Sequence, residues 1–459
     1  MTQHEPYEEY EQHDGISELW AMIPSNDDRT RPIAPTPPEQ SDPPRPRRLR
    51  RRLIALVATV LVLAVAGTYV SLTLSAPVGA AAAVFHSPTV DKSPAATIAL
   101  PGYGESAISI SGADDYLGPT ATGVFASSGG NGALPMASIS KLITAMVVLS
   151  AKPLGASGTG RTITWDKTDA ALYDKYYLLN ATIAAMKNGS SMSEHDALET
   201  MLVVSACNYA EAMADWAFGS NAGFVSATRK WLKANGLTGT TMVEPTGLDD
   251  RNTSTPSDLI ALGKLAMANP AVAAMVGKTS LDVPALAGLP STNDLLGTDG
   301  VNGIKTGTLD TEGSDLLYSA VVPIRTGLSL TVIGVVLAGP TRASVDDDVK
   351  KTISSIQDGF HDTQLGSQGQ VVGSYSTPWG AKASMVLAKD ADAFTWSDTP
   401  ITSTMKTTTP GNGKSGEEVG NVTWVAGKTT ETVPVVLKGN IRGPSAWWRL
   451  THPAELLGK

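Results

Sequence analysis

The chain has a single cysteine, Cys207, in 459 residues, so no intrachain disulfide can form. Any folded part must therefore be held by its packed cores alone. Its six histidines, His4, His13, His86, His195, His361 and His452, show neither H-x-H nor H-E-x-x-H spacing. That argues against a zinc hydrolase, and no cofactor is expected. Basic residues are outnumbered, 35 Lys and Arg against 44 Asp and Glu, and the net charge of −9 argues against a nucleic-acid partner. No internal repeat is present. What remains is an ordinary globular composition, 42% hydrophobic and 17% charged, in a chain long enough for more than one domain.

The charge is unevenly placed. Residues 1–42 carry ten Asp and Glu against Arg29 and Arg31, and seven prolines fall between Pro32 and Pro46. Residues 1–52 accordingly read as a disordered cytoplasmic tail. Six arginines between Arg45 and Arg52 close the tail, and "LIALVATVLVLAVAGTYVSLTL", residues 53–74, follows without a charge. Twenty-two helical residues span about 33 Å, enough to cross a bilayer. Residues 53–75 are thus expected to be a single transmembrane helix, the arginines placing the N-terminus in the cytoplasm. A cleaved signal peptide is the competing reading, since "LSAPVGAAA" offers small residues, but its apolar region would normally be shorter. Either reading exports everything after residue 75. The Ala- and Pro-rich residues 76–97 suit a linker away from the membrane.

From residue 98 the pattern is mixed. "ESAISI" and "GVFASS" suggest a strand pair, and helical spacing then runs from Ser138 to Ser150. It continues through "HDALETMLVVSACNYAEAMADWAFG", "NAGFVSATRKWLKANG" and "TPSDLIALGKLAMANP". A strand returns at residues 327–339, and another helix is expected from Ser344 to Phe360. Strands, then helices, then strands again predict an α+β domain over 98–365, with a mostly antiparallel sheet. Residues 366–459 hold short strand-like runs between turn residues and predict a small all-β C-terminal module.

Three separated clusters carry chemistry. Ser138 and Lys141 are spaced i, i+3, so on a helix they share a face. A serine hydroxyl becomes a useful nucleophile when a neighbouring base takes its proton, and a buried lysine can be that base. A single S-x-x-K is weak evidence, and the bland reading is a helix start with a snorkelling lysine. "VVSACNYAEA" places Ser205, Cys207 and Asn208 together, though small residues there also suit helix packing. "NGIKTGTLD" places Lys305, Thr306, Gly307 and Thr308 after a turn. There a glycine admits close approach of a substrate backbone and a lysine can bind a carboxylate, unless the segment is merely an exposed hairpin edge.

Taken in order, S-x-x-K, a Ser/Asn element and K-T-G form the signature set of penicillin-interacting serine enzymes. With "VEPTGLDD" and "VNGIKTGTLDTEGSDLLYSA", the chain resembles the serine-type D-Ala-D-Ala carboxypeptidases, the low-molecular-weight penicillin-binding proteins, over about residues 98–365. The resemblance implies a β-lactamase/DD-peptidase-like domain, an antiparallel sheet flanked by helices plus a helical subdomain. It implies that Ser138 attacks the bond between two D-alanines, with Lys141 as base and Ser205 as proton relay. Asn208 or its neighbour would hold the substrate amide, and Lys305 and Thr306 the terminal carboxylate. The backbone N–H groups of Ser138 and Thr308 would form the oxyanion hole. The implied partners are the peptidoglycan stem peptide and, as covalent inhibitors, β-lactams; the implied location is the outer face of a bacterial cell membrane.

One departure stands out. The family's second motif is usually S-x-N, but here Cys207 occupies the Asn position and Asn208 comes one residue later. Residues one apart on a helix point about 100° apart, so either Cys207 or Asn208 faces the substrate. An amide grips a carbonyl better than a thiol, which favours Asn208. Two other readings stay open, a β-lactamase of the same fold and an inert wall-binding or division scaffold. Glu244 falls in the interval where class A β-lactamases carry their deacylating glutamate, but it lacks the E-x-x-L-N pattern. Endopeptidase cleavage of D-Ala cross-links also fits the sequence.

Overall fold

The computed structural model describes residues 47–156 and 158–457. The chain divides into two units, residues 1–76 and 77–459. The expected tail lies outside the described residues up to 46.

In the first unit, Arg47–Ser75 is one continuous helix, so residues 47–52, assigned from sequence to the tail, are its first turns. The stretch Leu49–Ser75 is apolar and, at 27 residues, long enough to cross a membrane. Leu53, Leu56, Val60 and Leu63 along it are exposed, as a lipid-facing surface would be.

In the second unit one domain is built on a five-stranded antiparallel sheet, ordered Ala126–Ser128, Glu105–Ser111, Leu328–Gly339, Gly313–Arg325, Val301–Leu309. The period-two side-chain alternation of a strand divides its residues between two cores. On one face Ile108, Ile110, Leu316, Tyr318, Val332 and Val336 pack with Val345, Val349, Ile353 and Ile356 of the helix Arg342–Asp358. On the other, Ile304, Leu317, Ile333, Val335 and Leu337 pack with Leu259, Leu262 and Ala266 of the helix Pro256–Ala268, and the helical subdomain continues that core. Both faces are covered, which is why the long strands read as continuous apolar runs.

Local signals set the helix boundaries. Asp166 accepts from the Thr168 and Asp169 N–H groups at the start of Lys167–Leu178, with Asp169 reciprocating in a capping box. Thr255 caps Pro256–Ala268, whose proline sits in the first turn, where no N–H is needed. The long helical pattern across residues 195–219 is broken in two. Glu194–Val203 and Cys207–Phe218 are separate helices, and Ser205 lies between them at φ +63.

The C-terminal module is a six-stranded sheet, ordered Ala82–Phe85, Val371–Ser376, Lys382–Leu387, Thr429–Lys438, Glu418–Ala426, Ile401–Thr407. Its core holds Val372, Tyr375, Met385, Val422, Trp424 and Val435. The first strand falls in the segment read from sequence as a linker. Ala82–Phe85 instead pairs antiparallel with Val371–Ser376, so the chain joins the C-terminal module before it enters the domain of the five-stranded sheet. Few aromatics are present, yet five gather at the seam between the two. Phe360 meets Tyr116 at 5.7 Å, Phe394 at 5.7 Å and Trp396 at 4.7 Å, and Phe125 lies 6.2 Å from Trp396. Such pairs add about 0.5–1.5 kcal/mol each beyond area burial.

Candidate active site

Ser138 sits in a short 3-10 turn, Ala137–Ile139, that runs directly into the helix Ser140–Ala151. The turn and the first helical turn together keep Ser138 and Lys141 on one face. Lys141 Nζ donates to Ser138 Oγ at 2.8 Å and to the Thr246 carbonyl at 2.6 Å. The lysine is fully buried, and no ion pair to it forms among the described residues.

The carbonyl of Thr246 is held in place by Glu244. One carboxylate oxygen accepts from the Thr246 N–H and hydroxyl at 2.6 Å each, the other from the Gly247 N–H at 2.6 Å and Asn252 Nδ2 at 2.9 Å. Asn252 also donates to Ser140 Oγ at 3.2 Å, which ties this loop to the helix that follows Ser138. Gly247 is required here. It lies at φ +84, and a side chain on it would come within 1.9 Å of the Ala137 carbonyl oxygen. With four donors already on its oxygens, Glu244 is a structural anchor and is not free to position a water.

The K-T-G segment lies in Val301–Leu309, the edge strand of the sheet. A side chain on Gly307 would approach Ala137 Cβ to 2.9 Å and the Met136 carbonyl oxygen to 3.1 Å, so this strand packs straight against the turn that carries Ser138. Lys305 is buried. Its pKa is held well below the ordinary lysine value, first by burial and then by the positive charges of Lys141 and Arg342. Its Nζ donates to the Thr306 carbonyl at 3.1 Å and reaches Thr292 Oγ1 at 3.5 Å. Thr308 is exposed, its hydroxyl turned back to the Gly307 carbonyl at 2.7 Å.

Two residues that sequence reading missed connect these parts. Thr306 Oγ1 donates to Thr292 Oγ1 at 2.6 Å, the Thr292 N–H donates to the Val203 carbonyl at 3.1 Å, and Arg342 donates to the Thr292 carbonyl at 3.0 Å. Thr292 thus couples K-T-G to the turn that carries Ser205. Neither residue belongs to a short motif, so only the spatial arrangement reveals them.

Around Ser205 the structure departs from the sequence expectation. Ser205 is buried in the joint between two helices. Asn208 is fully buried and engaged elsewhere, with Nδ2 donating to the Ala184 carbonyl at 2.8 Å and Oδ1 accepting from the Ala184 N–H at 3.1 Å. The adjacent Cys207 is buried too, and lies near enough to Lys305 to act on its charge. The preference for Asn208 rested on the grip of its amide, and that amide is already spent on the Ala184 backbone.

Beside this constellation, Tyr176, Glu211, Asp215, Glu244 and Thr246 border a cleft of about 560 Å³. Glu211 binds the Tyr176 hydroxyl and Lys175 Nζ, each at 2.5 Å.

A Ser-Lys pair set against a K-T-G edge strand is the arrangement expected from the sequence motifs, and the fold that holds it has solved counterparts. It is similar to penicillin binding protein 5 from Haemophilus influenzae, with TM-score 0.50 at 18% identity over 75% of this chain and 98% of that one. It is equally similar to penicillin binding protein 6B from Escherichia coli, with TM-score 0.50 at 19% identity over 76% and 99%. Both likenesses are of fold. Residues 119–341 match the family described as D-alanyl-D-alanine carboxypeptidase. Curated relatives include the D-alanyl-D-alanine endopeptidases of Pseudomonas aeruginosa and Escherichia coli, each 34% identical over 130 and 129 residues. The matched part is 28% of this chain, which spans 38% of the length of those relatives.

Proposed function

We propose that the protein is a membrane-anchored serine-type D-Ala-D-Ala carboxypeptidase that removes the terminal D-alanine from peptidoglycan stem peptides and is acylated by β-lactams. The observation that carries this is the 2.8 Å hydrogen bond from buried Lys141 to Ser138, set against a K-T-G edge strand. Ser138 Oγ attacks the carbonyl between the two D-alanines while Lys141 takes its proton. The oxyanion is met by the backbone N–H groups of Ser138 and Thr308. Ser205 relays the proton to the departing amine, the C–N bond breaks and D-alanine leaves. Water then hydrolyses the ester on Ser138.

Lys305 and Thr306 bind the terminal carboxylate, with Thr292 and Arg342 holding them in position. The unpaired edge of Val301–Leu309 receives the substrate backbone, and the cleft beside Thr246 offers room for the upstream stem peptide. Cys207, near enough to act on the charge of Lys305, stands at the position where the family usually has asparagine. The apolar helix acts as the anchor, with the arginines at Arg47–Arg52 on its cytoplasmic side.

Neither alternative is favoured. Glu244 is bound by its own loop, against a class A β-lactamase, and the intact Ser138–Lys141 pair argues against an inert scaffold. Cleavage of D-Ala cross-links is a second reading, motivated by the names of the curated relatives. The test is D-alanine release from a stem peptide ending in D-Ala-D-Ala, set beside cleavage of a cross-linked dimer. Release from the pentapeptide that is lost in Ser138→Ala is expected, and cleavage of the dimer alone would reassign the enzyme as an endopeptidase.

A further inference from the structure

Behind the K-T-G strand lies a carboxyl group that the mechanism above does not use. Asp315, on the neighbouring strand Gly313–Arg325, pairs directly with Gly307 and is 6% exposed. Its Oδ1 accepts from the Ala338 N–H at 2.9 Å, where Leu328–Gly339 loses register between Val336 and Gly339 and Ala338 takes φ +56. Its Oδ2 points the other way. A side chain on Gly307 would come within 3.0 Å of it and within 2.9 Å of Ala137 Cβ, so both crowd the same side of the glycine. Asp315 and the turn that carries Ser138 therefore meet over one side of Gly307, one residue from the Thr308 amide.

We propose that Asp315 is a positioning residue for acylation of Ser138, its carboxyl seated between the Ala338 N–H and Gly307 so as to fix where the Thr308 amide meets the reacting carbonyl. The inference rests on the peptidase reading. The protonation state of the carboxyl matters because an anion beside Gly307, one residue from the Thr308 amide, adds negative charge near the developing oxyanion and raises its energy. Burial, partly offset by the Ala338 hydrogen bond, pushes the Asp315 pKa up to about 7. Around it, the turn 310–312 carries Asp310 and Glu312, and Glu312 raises it further. The strand Val301–Leu309 carries Lys305, and its own strand carries Arg325 at the far end and Tyr318. The strand Leu328–Gly339 and the turn Ala137–Ile139 carry no ionisable side chain. Below about pH 7 the group is a neutral acid beside the oxyanion site, and above it the charge appears.

The experiment is the pH dependence of Ser138 acylation by a fluorescent penicillin, in the full chain in detergent and in Asp315→Asn. Asparagine keeps the acceptor for Ala338 and cannot ionise. In the parent protein a descending limb with its midpoint near pH 7 is expected, on the order of tenfold. In Asp315→Asn that limb should vanish, with the rate at pH 6 within about twofold of the parent. A limb that persists unchanged in Asp315→Asn assigns it to Lys305 and overturns the proposal, as does a folded variant equally slow at every pH. Should the variant not fold, 13C NMR of the parent labelled at aspartate carboxyls decides: one carboxyl titrating near pH 7 supports the proposal, and all of them titrating below pH 5 overturns it. Absence of acylation in the parent at any pH is a different failure, that of the peptidase reading itself.

Discussion

Thr306 donates its hydroxyl to that of Thr292 at 2.6 Å, and Thr292 in turn holds the turn before Ser205 through its backbone N–H. Two parts of the site that are about a hundred residues apart in sequence thus share one small side chain. Thr292→Val keeps the shape and removes the acceptor. D-alanine release should fall in kcat/KM by roughly 10- to 100-fold, with little change in melting temperature. An unchanged kcat/KM would remove Thr292 from the site.

For Lys141 the expectation is more severe. Lys141→Ala should lower the rate of penicillin acylation by about a thousandfold or more while Ser138 remains in place. Lys141→Arg should not rescue it, because a guanidinium does not give up its charge. Stopped-flow acylation kinetics read both.

Asn208 and Cys207 should separate cleanly. Asn208→Ala leaves the Ala184 N–H and carbonyl unpaired in a buried place, which costs about 1–3 kcal/mol of stability. It should melt earlier yet acylate at nearly the parent rate. Cys207→Ala should melt close to the parent, with kcat/KM reduced roughly three- to tenfold through its effect on the charge of Lys305. A stable Asn208→Ala that is inactive would reverse these roles.

Lys305 sets function against stability. A lysine whose native pKa lies below its unfolded value of about 10.4 binds its proton less well when folded. Its penalty is fully present below the native pKa and is relieved as pH rises from there towards that of free lysine. Lys305→Met should therefore raise stability at pH 7 by about 1–2 kcal/mol, an advantage that shrinks as pH approaches 10, while binding of carboxylate-terminated substrates is lost. Calorimetry across that range provides the check.

Much of this was legible in the sequence because the chemistry sits in short motifs and the fold in clear periodicities. Residues 98–365 announced an antiparallel α+β domain through apolar alternation at 327–339 and helical spacing after Ser138, and both elements are present. What escaped depends on long-range packing. The strand Ala82–Phe85 has an Ala-rich composition that carries no strand signal of its own, and it forms because Val371–Ser376 offers an open edge. The break at Ser205 falls inside a continuous helical pattern, where nothing local announces a left-handed residue. Thr292, Arg342 and Asp315 are ordinary polar residues by sequence, and only the sheet brings them to Lys305 and Gly307.

The most direct measurement is peptide mass spectrometry of the full chain after exposure to benzylpenicillin. A penicilloyl adduct on the peptide containing Ser138, absent in Ser138→Ala and greatly slowed in Lys141→Ala, is the expected result. Folded protein that carries no adduct, or carries it on another residue with Ser138 untouched, would contradict a nucleophilic serine activated by Lys141.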